Sequence, residues 1–180
     1  RASTPRSAPM AAWVVNDAGA ATDAVYIDLP QFDNLAPMAE AFESTLAELC
    51  PACGHKKLDL ALSDIVNLPD LVVSHLRANP ETAYVVSAVD SIGTGIPAAL
   101  DAAGLTDVKL FGTGPGLQNL QLIASGQQAG SIVAPFWELS FEAADAMARA
   151  MVGEPVIPAG EPPLWLVTTE TLPADISNYF

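Results

Sequence analysis

The sequence predicts an α/β domain of three layers (α/β/α), in which a mainly parallel β-sheet lies between helices. Short β-branched runs alternate with helical segments, which gives about six strands. One stretch, Ala83–Gly116, contains a strand, an acidic turn, a helix, a second strand and a glycine-rich turn, the pattern of a parallel βαβ unit. The chain has 180 residues, of which 51% are hydrophobic and 16% charged, enough to form a folded core.

The first half is predicted from hydrophobic spacing and from its breakers. Met38, Phe42 and Leu46 recur at helical spacing, while Pro69 suits a first helical turn and Asn79-Pro80 ends a helix. In order, we expect a helix from Ser7 to about Gly19, a strand Ala24–Leu29, a helix Ala36–Leu49, a strand over 56–62 (KKLDLAL) and a helix Leu68–Asn79.

The second half continues the alternation and ends its helices at glycines. Asp90 follows a buried run and can cap the next helix, whose first turn Pro97 should distort. We expect strands over 84–89 (YVVSAV), 108–111 (VKLF), 130–135 (GSIVAP) and 163–169 (PLWLVTT), with helices up to Gly104, over Gly116–Ser125 and over Glu138–Val152.

In open parallel sheets, ligands bind at the carboxyl ends of the strands. Those ends are predicted at Val89–Ser91 and Gly112–Gly116, so Asp90 is a helix cap, a ligand acceptor or both, and the backbone around Thr113 and Gly114 forms a wall. The glycine-rich turn fits neither a dinucleotide fingerprint nor a phosphate loop. Phe136, Trp137 and Glu138 form an aromatic pair beside a carboxylate, which either lines a pocket or packs in the core.

The CPAC segment carries both cysteines of the chain, Cys50 and Cys53. They follow a helix at its negative end, which does not favour a reactive thiolate, so a small disulfide in an oxidising compartment is the better interpretation. Zinc needs four ligands, and with His55 this segment offers three. We therefore predict neither a metal nor a cofactor.

Composition argues against several function classes. The formal net charge is −14, from 21 acidic against 7 basic residues, and such a surface repels nucleic acid. The sequence has two histidines and neither GxSxG nor HExxH, so we predict no enzymatic activity. It contains no run of about 18 apolar residues, the length of a membrane span. The polar opening RASTPRSAP is interpreted as a linker or cut end of a longer protein.

The run from NPETAYVVSAVD through LDAAGLTDVKLFGTGPG to ARAMVGEPV resembles the C-terminal lobe of type I periplasmic binding proteins, the ribose-binding-like group. Its features are a helix ending in NP, an acidic turn after a strand, a helix ending in AAG before DVK, and a late helix ending in a basic residue, three residues, Gly and Glu. Arg149, Gly153 and Glu154 fit that last element, and the similarity extends upstream through AVYIDLP and FESTLAEL.

The resemblance implies a solute-binding protein of an ABC importer, outside the cytoplasm (periplasmic or a cell-surface lipoprotein), that closes two lobes on a small molecule and contacts a permease. It implies a linker over residues 1–8, a ligand-binding lobe over 9–135, a helical segment 136–154 that crosses to an N-terminal lobe not among these residues, and a return strand and tail over 155–180. Helix 138–152 would then pack in a partner chain, as a homodimer, or fold onto its own domain at a changed angle.

The chain also differs from the sugar binders of this group, which carry polar side chains where Val89, Gly114, Ala134 and Ala36–Met38 stand here. We therefore expect a ligand that is sugar-like or more apolar, stacked by Phe32, Phe136 and Trp137, with Asp90 and Glu138 accepting hydrogen bonds. Two alternatives stay open: a ligand-sensing domain of a LacI-type regulator or receptor, which LTDVKLFGTG disfavours, and a flavodoxin-like oxidoreductase, which the placements of CPAC and GTGPG disfavour.

Overall fold

One six-stranded sheet forms the centre of the domain, and a computed structural model describes it for residues 7–158, 162–173 and 175–176, without the side chain of Phe136. The strands are β1 Asp23–Asp28, β2 Gly54–Asp59, β3 Thr82–Ser87, β4 Lys109–Thr113, β5 Gly130–Val133 and β6 Trp165–Thr168. Their order across the sheet is β2-β1-β3-β4-β5-β6. All pairings are parallel except β5 with β6, which is antiparallel. The predicted fold class is confirmed.

The helices follow the predicted alternation. They are α1 Ser7–Ala18, α2 Ala36–Leu49, α3 Leu68–Ala78, α4 Ile96–Ala103, α5 Leu117–Ala124 and α6 Phe136–Val152. Glycines in the left-handed conformation end α4 and α6 at Gly104 (φ 72°) and Gly153 (φ 75°), where a side chain would be strained.

Two segments differ from the prediction. The strand expected over 56–62 begins at Gly54 and ends at Asp59, because Leu62–Asn67 forms a 3₁₀ helix ahead of α3. The helix expected directly after Asp90 is a 3₁₀ turn over Asp90–Ile92, and α4 begins only at Ile96. Pro97 therefore lies in the first turn of α4, where its missing N–H is not needed, and does not distort a longer helix.

The strand order assigns the helices to the two faces of the sheet. The connection from β1 through α2 runs outward to β2, whereas the later connections run the other way to β3, β4 and β5. Since such crossovers are right-handed, α2 covers one face and α3, α4 and α5 cover the other. On the first face α1 packs beside α2, and the indole ring of Trp13 stacks on Phe111 at a centroid distance of 4.1 Å.

A disulfide joins Cys50 and Cys53 in the turn between α2 and β2, as predicted. The backbone N–H of Thr22 donates to Cys53 Sγ at 3.4 Å, and the N–H of Gly54 donates to Asp23 Oδ1 at 2.9 Å. The bridge therefore holds the start of edge strand β2 against the segment that enters β1.

Among the six α-helices, α6 alone has no buried side chain among its described residues. Most of its large apolar side chains face solvent, with exposed fractions of 71% for Trp137, 77% for Phe141 and 80% for Met151. The domain thus leaves most of the apolar side chains of this helix uncovered. Among the described residues, none of the helices has the combined length and apolarity that crossing a membrane requires.

We expect the double substitution Cys50→Ser, Cys53→Ser to lower the free energy of unfolding by about 2 kcal/mol, the loop-closure entropy that a bridge across such a short loop removes from the unfolded chain. Urea unfolding followed by circular dichroism measures it. Addition of dithiothreitol should lower the stability of the wild type and leave the variant unchanged. An equal effect of the reductant on both proteins would contradict the structural role given to the bridge.

Candidate functional site

The carboxyl edge of the sheet, where the parallel strands end, is the candidate site. The chain leaves β1 toward β2 on one side, and β3 continues toward β4 on the other, so the strand order reverses between β1 and β3. Such a switch point opens a crevice outside the strand ends, and it is the usual ligand position in open α/β sheets. Here the loop 29–35 follows β1 and the turn 88–95 follows β3, so these two segments flank the switch point.

Three of the predicted ligand-binding residues are accessible from solvent. Phe32, in the loop after β1, is 40% exposed, and Trp137 and Glu138 are exposed in the first turn of α6. The side chain of Phe136 lies outside the described part of the structure. The aromatic and carboxylate groups are therefore free to contact a ligand, and their role stays a prediction.

The glycine-rich turn after β4 contributes backbone to the edge. Thr113 is buried and its Oγ1 donates to the carbonyl oxygen of Ile132 at 2.9 Å, so its side chain ties β4 to β5 and does not face the crevice. The N–H of Gly114 donates to the same carbonyl at 3.0 Å. Gly114 has φ 69°, a conformation that glycine adopts without strain. Gly114 therefore contributes a sharp backbone turn and no side chain to this edge.

The Asp90 carboxyl group points into the protein. Asp90 is 2% exposed, and no side-chain cap is formed at the start of the 3₁₀ turn or of α4, so the predicted capping role is wrong. Instead, the hydroxyl of Ser131 donates to Asp90 Oδ2 at 2.5 Å. This placement argues against direct ligand contact by the carboxyl group. Burial raises the pKa of Asp90 to about 7, against the opposing hydrogen bonds from Ser131 and Gln128.

Gly112 provides the space that the Asp90 carboxyl group occupies. A Cβ atom built on Gly112 would lie 1.7 Å from Asp90 Oδ1, far inside contact distance. The φ angle of Gly112 is not in the left-handed region, so close approach and not backbone conformation requires glycine here. The acidic turn after β3 and the glycine in β4 are therefore complementary in shape.

Asn119 joins the turn after β3, which contains Asp90, to the glycine-rich turn after β4. Its Nδ2 donates to the backbone oxygen of Asp90 at 3.0 Å and to Oε1 of Gln128 at 3.2 Å. Its Oδ1 accepts the backbone N–H of Gly116 at 3.1 Å, which caps the start of α5. Gln128 Nε2 in turn donates to the carbonyl oxygen of Gly130. One fully buried amide thus links the turns after β3 and β4 to the segment that enters β5.

The sequence analysis singled out Gly112 as part of the glycine-rich turn but none of the three polar residues that surround Asp90. A weak signal existed, since Ser131 interrupts the apolar run GSIVAP, and Asn119 and Gln128 flank the apolar LQLI. A buried acid at the end of β1 was also missed. Asp28 is 3% exposed, and Lys57 Nζ lies 2.9 Å from its Oδ2, an ion pair that joins the carboxyl ends of β1 and β2. This hydrogen bond with Asp28 raises the pKa of Lys57.

A groove of about 870 Å³ lies at the opposite, amino-terminal end of the sheet. Trp13 and Asp17 from α1 line it on one face of the sheet, and Leu100 and Asp101 from α4 line it on the other. Because it passes around the end of the sheet, it is an open surface, away from the switch point. We assign the candidate site to the carboxyl edge for that reason.

The structure is similar to several solved structures. A sugar-binding protein of a sugar ABC transporter from Bacillus halodurans matches 93% of this chain and 62% of its own, with a TM-score of 0.81 and 16% identity. A periplasmic solute-binding protein of an ABC transporter from Actinobacillus succinogenes, solved with bound D-allose, matches 93% and 60% with a TM-score of 0.81 and 15% identity. A candidate LacI transcriptional regulator from Bacteroides fragilis matches 92% and 59% with a TM-score of 0.78 and 15% identity.

These matches define the class of fold. The chain has the fold of one lobe of a type I periplasmic binding protein, as the sequence resemblance implied. It spans about 60% of the length of these solved structures. No family model and no curated protein matches the sequence.

We expect Gly112→Ala to lower the free energy of unfolding by about 1–3 kcal/mol, the usual cost of forcing an extra carbon atom into a packed interior. Gly116→Ala is the matched control, because its Cβ would lie 3.6 Å from the nearest atom, Asn119 Oδ1, at an ordinary contact distance. Chemical denaturation compares the two.

A double-mutant cycle tests whether a side chain at position 112 collides with the Asp90 carboxyl group. Combining Gly112→Ala with Asp90→Ala should cost less than the sum of the single changes, because the shorter side chain vacates the contested space. Additive effects would show that Asp90 and Gly112 are not in contact.

Proposed function

We propose that the chain is the C-terminal, ligand-binding lobe of an extracytoplasmic solute-binding protein that serves an ABC importer. The protein binds a small molecule by closing two lobes around it and carries out no chemistry. The observation that carries this proposal is the type I lobe fold, in which the loop after β1, beside the switch point, carries the solvent-accessible side chain of Phe32. Similar structures with this fold include sugar-binding proteins of ABC transporters.

The chemistry of the crevice favours an uncharged ligand with an apolar face. Trp137 and Phe32 offer rings for stacking, and Glu138 offers a hydrogen-bond acceptor. Lys57 is already engaged by Asp28 and lies 3.6 Å from Asp59, so it is not free to bind an anion. A sugar-like molecule, or a more apolar ring compound, suits this set of groups.

The disulfide supports an oxidising, extracytoplasmic location, where such bonds persist. A periplasmic protein and a cell-surface lipoprotein are both consistent with it. The permease of the importer is the partner that this function requires.

A second lobe would complete the site, and helix α6 is the segment that we propose to reach it. The similar structures are longer than this chain, and α6 buries none of its described side chains against the domain. In this arrangement residues 9–135 form the lobe, residues 136–154 cross to the other lobe, and residues 155–180 return to supply β6. The alternative function is a ligand-sensing domain of a LacI-type regulator, which the similarity to such a candidate regulator supports.

Ligand binding is tested by thermal shift on the two-lobed protein with D-allose and other neutral monosaccharides. We expect a saturable rise of the melting temperature with at least one of them, since a ligand that binds only the folded state stabilises it. Trp137→Ala should reduce the rise by removing a stacking surface. Leu49→Ala is the control, because Leu49 is a half-exposed apolar residue at the end of α2, on the side of the sheet opposite the carboxyl edge.

Two results would count against this proposal. An absence of any shift across neutral sugars and apolar ring compounds would argue against a solute-binding role. An unchanged shift in Trp137→Ala would instead displace the site from the start of α6 while leaving the function intact.

We expect the isolated 180-residue chain to self-associate through α6, because Phe141, Met147, Met151 and Val152 are more than half exposed on this helix. Light scattering coupled to size exclusion measures the mass. The double variant Phe141→Glu, Met151→Glu should be monomeric. The control Glu142→Gln changes a polar neighbour on the same helix and should self-associate as the wild type does. A strictly monomeric wild-type chain would contradict partner packing of α6.

A further inference from the structure

The buried carboxyl group of Asp90 has no charged partner among the described residues. The elements packed around it are β4, β5, α5 and the loop 126–129, and the groups they present are Gly112, Ser131, Asn119 and Gln128. All four are uncharged. The carboxyl group therefore fits its surroundings best when it is neutral, because a buried charge without a counter-ion is costly.

This carboxyl group lies where three segments of the carboxyl edge meet. Asp90 begins the turn after β3, and its side chain is bonded to Ser131 in β5. The backbone oxygen of the same residue accepts from Asn119, which also holds the N–H of Gly116 in the turn after β4. A change at Asp90 therefore reaches both turns and the strand that leads into α6.

We propose that Asp90 is a proton-dependent positioning residue: with its carboxyl group neutral, the network of Asp90, Asn119, Gln128 and Ser131 holds the two turns and β5 in one arrangement, and with the group charged the network loosens. The proposal rests on the proposed function only in that it takes this edge to be the ligand edge. It makes the edge of this lobe respond to the pH of the surrounding solution, through a residue that does not touch the ligand.

The direction of the effect follows from proton linkage. The pKa of Asp90 is raised from 3.8 to about 7 in the folded arrangement, whereas an opened, solvated carboxyl group returns to the ordinary value. Between about pH 4 and pH 7, the folded arrangement therefore keeps the Asp90 carboxyl group protonated, whereas the opened arrangement has lost that proton. Protection of the two turns should be greatest below about pH 4, fall by roughly tenfold per pH unit up to about pH 7, and then level off.

The test is hydrogen exchange of the 180-residue chain without ligand at pH 5, 6, 7 and 8, corrected for the chemical exchange rate. Protection is compared between the amides of 88–92 and 112–117 and those of β1, which lie outside the network. In the wild type we expect the two turns, and not β1, to lose protection as the pH rises toward 7. In Asp90→Asn, which keeps the shape but cannot ionise, protection of the turns should not change with pH.

Asp101→Asn is the matched control, because it makes the same chemical change on an exposed residue of α4. It should behave as the wild type does. A pH dependence that persists in Asp90→Asn would overturn the proposal. A dependence of equal size in β1 would also overturn it, because that result describes overall stability and not positioning of the edge.

Ser131→Ala provides an independent test that does not require Asp90→Asn to fold. Loss of the hydroxyl removes a hydrogen bond that favours the charged form, so the carboxyl titration followed by carbon-13 NMR should move to higher pH. The pH at which the two turns stop losing their protection against hydrogen exchange should rise as well. A titration that stays in place or moves down would show that the serine does not bond to the carboxyl group, and the network would be rejected. Because these measurements use no ligand, their failure is separate from failure of the thermal-shift test.

Discussion

Parallel pairing of neighbouring strands is the constraint on which the rest of this structure depends. Each parallel pair requires a crossover that returns the chain to the same end of the sheet, and the hand of these crossovers is set by the twist of the strands. Strands β1, β3 and β4 are covered on both faces, so their central residues form continuous apolar runs, as in AVYI and YVV. The same geometry brings the turns after β1, β3, β4 and β5 to one edge, where the polar and aromatic side chains of the candidate site can meet.

The interior beneath that edge is unusual because its contacts are polar. An acid, two amides and a hydroxyl are buried together below the ends of β3, β4 and β5. Such a network specifies one arrangement only when all members are bonded, since an unpaired buried group is costly. Position 112 requires glycine because the Asp90 carboxyl group leaves no room for a side chain there. Shape and hydrogen bonding together fix the turns that face the crevice.

The outer helix and the edge strand show how this lobe relates to a larger protein. Strand β6 joins the sheet antiparallel to β5, so the chain must leave the sheet and return between them. It does so through α6, most of whose large apolar side chains are not covered by the domain. A helix of this kind is stable in a protein only when another surface covers it. The proposal of a second lobe and the expected self-association of the isolated chain have this common physical origin.

The sequence by itself determined the elements and the class of fold, because these depend on local signals. Hydrophobic spacing predicted α2 with its observed bounds, glycines marked the ends of α4 and α6, and the cysteine spacing predicted the disulfide. Local signals also misled, since Asp90 stands where a helix cap is expected and α4 begins six residues later. The tertiary structure alone decided the role of Asp90, because its partners Gly112, Asn119 and Ser131 come from later segments that only the strand order places around it. Such contacts depend on which turns share an edge, and no local pattern encodes that neighbourhood.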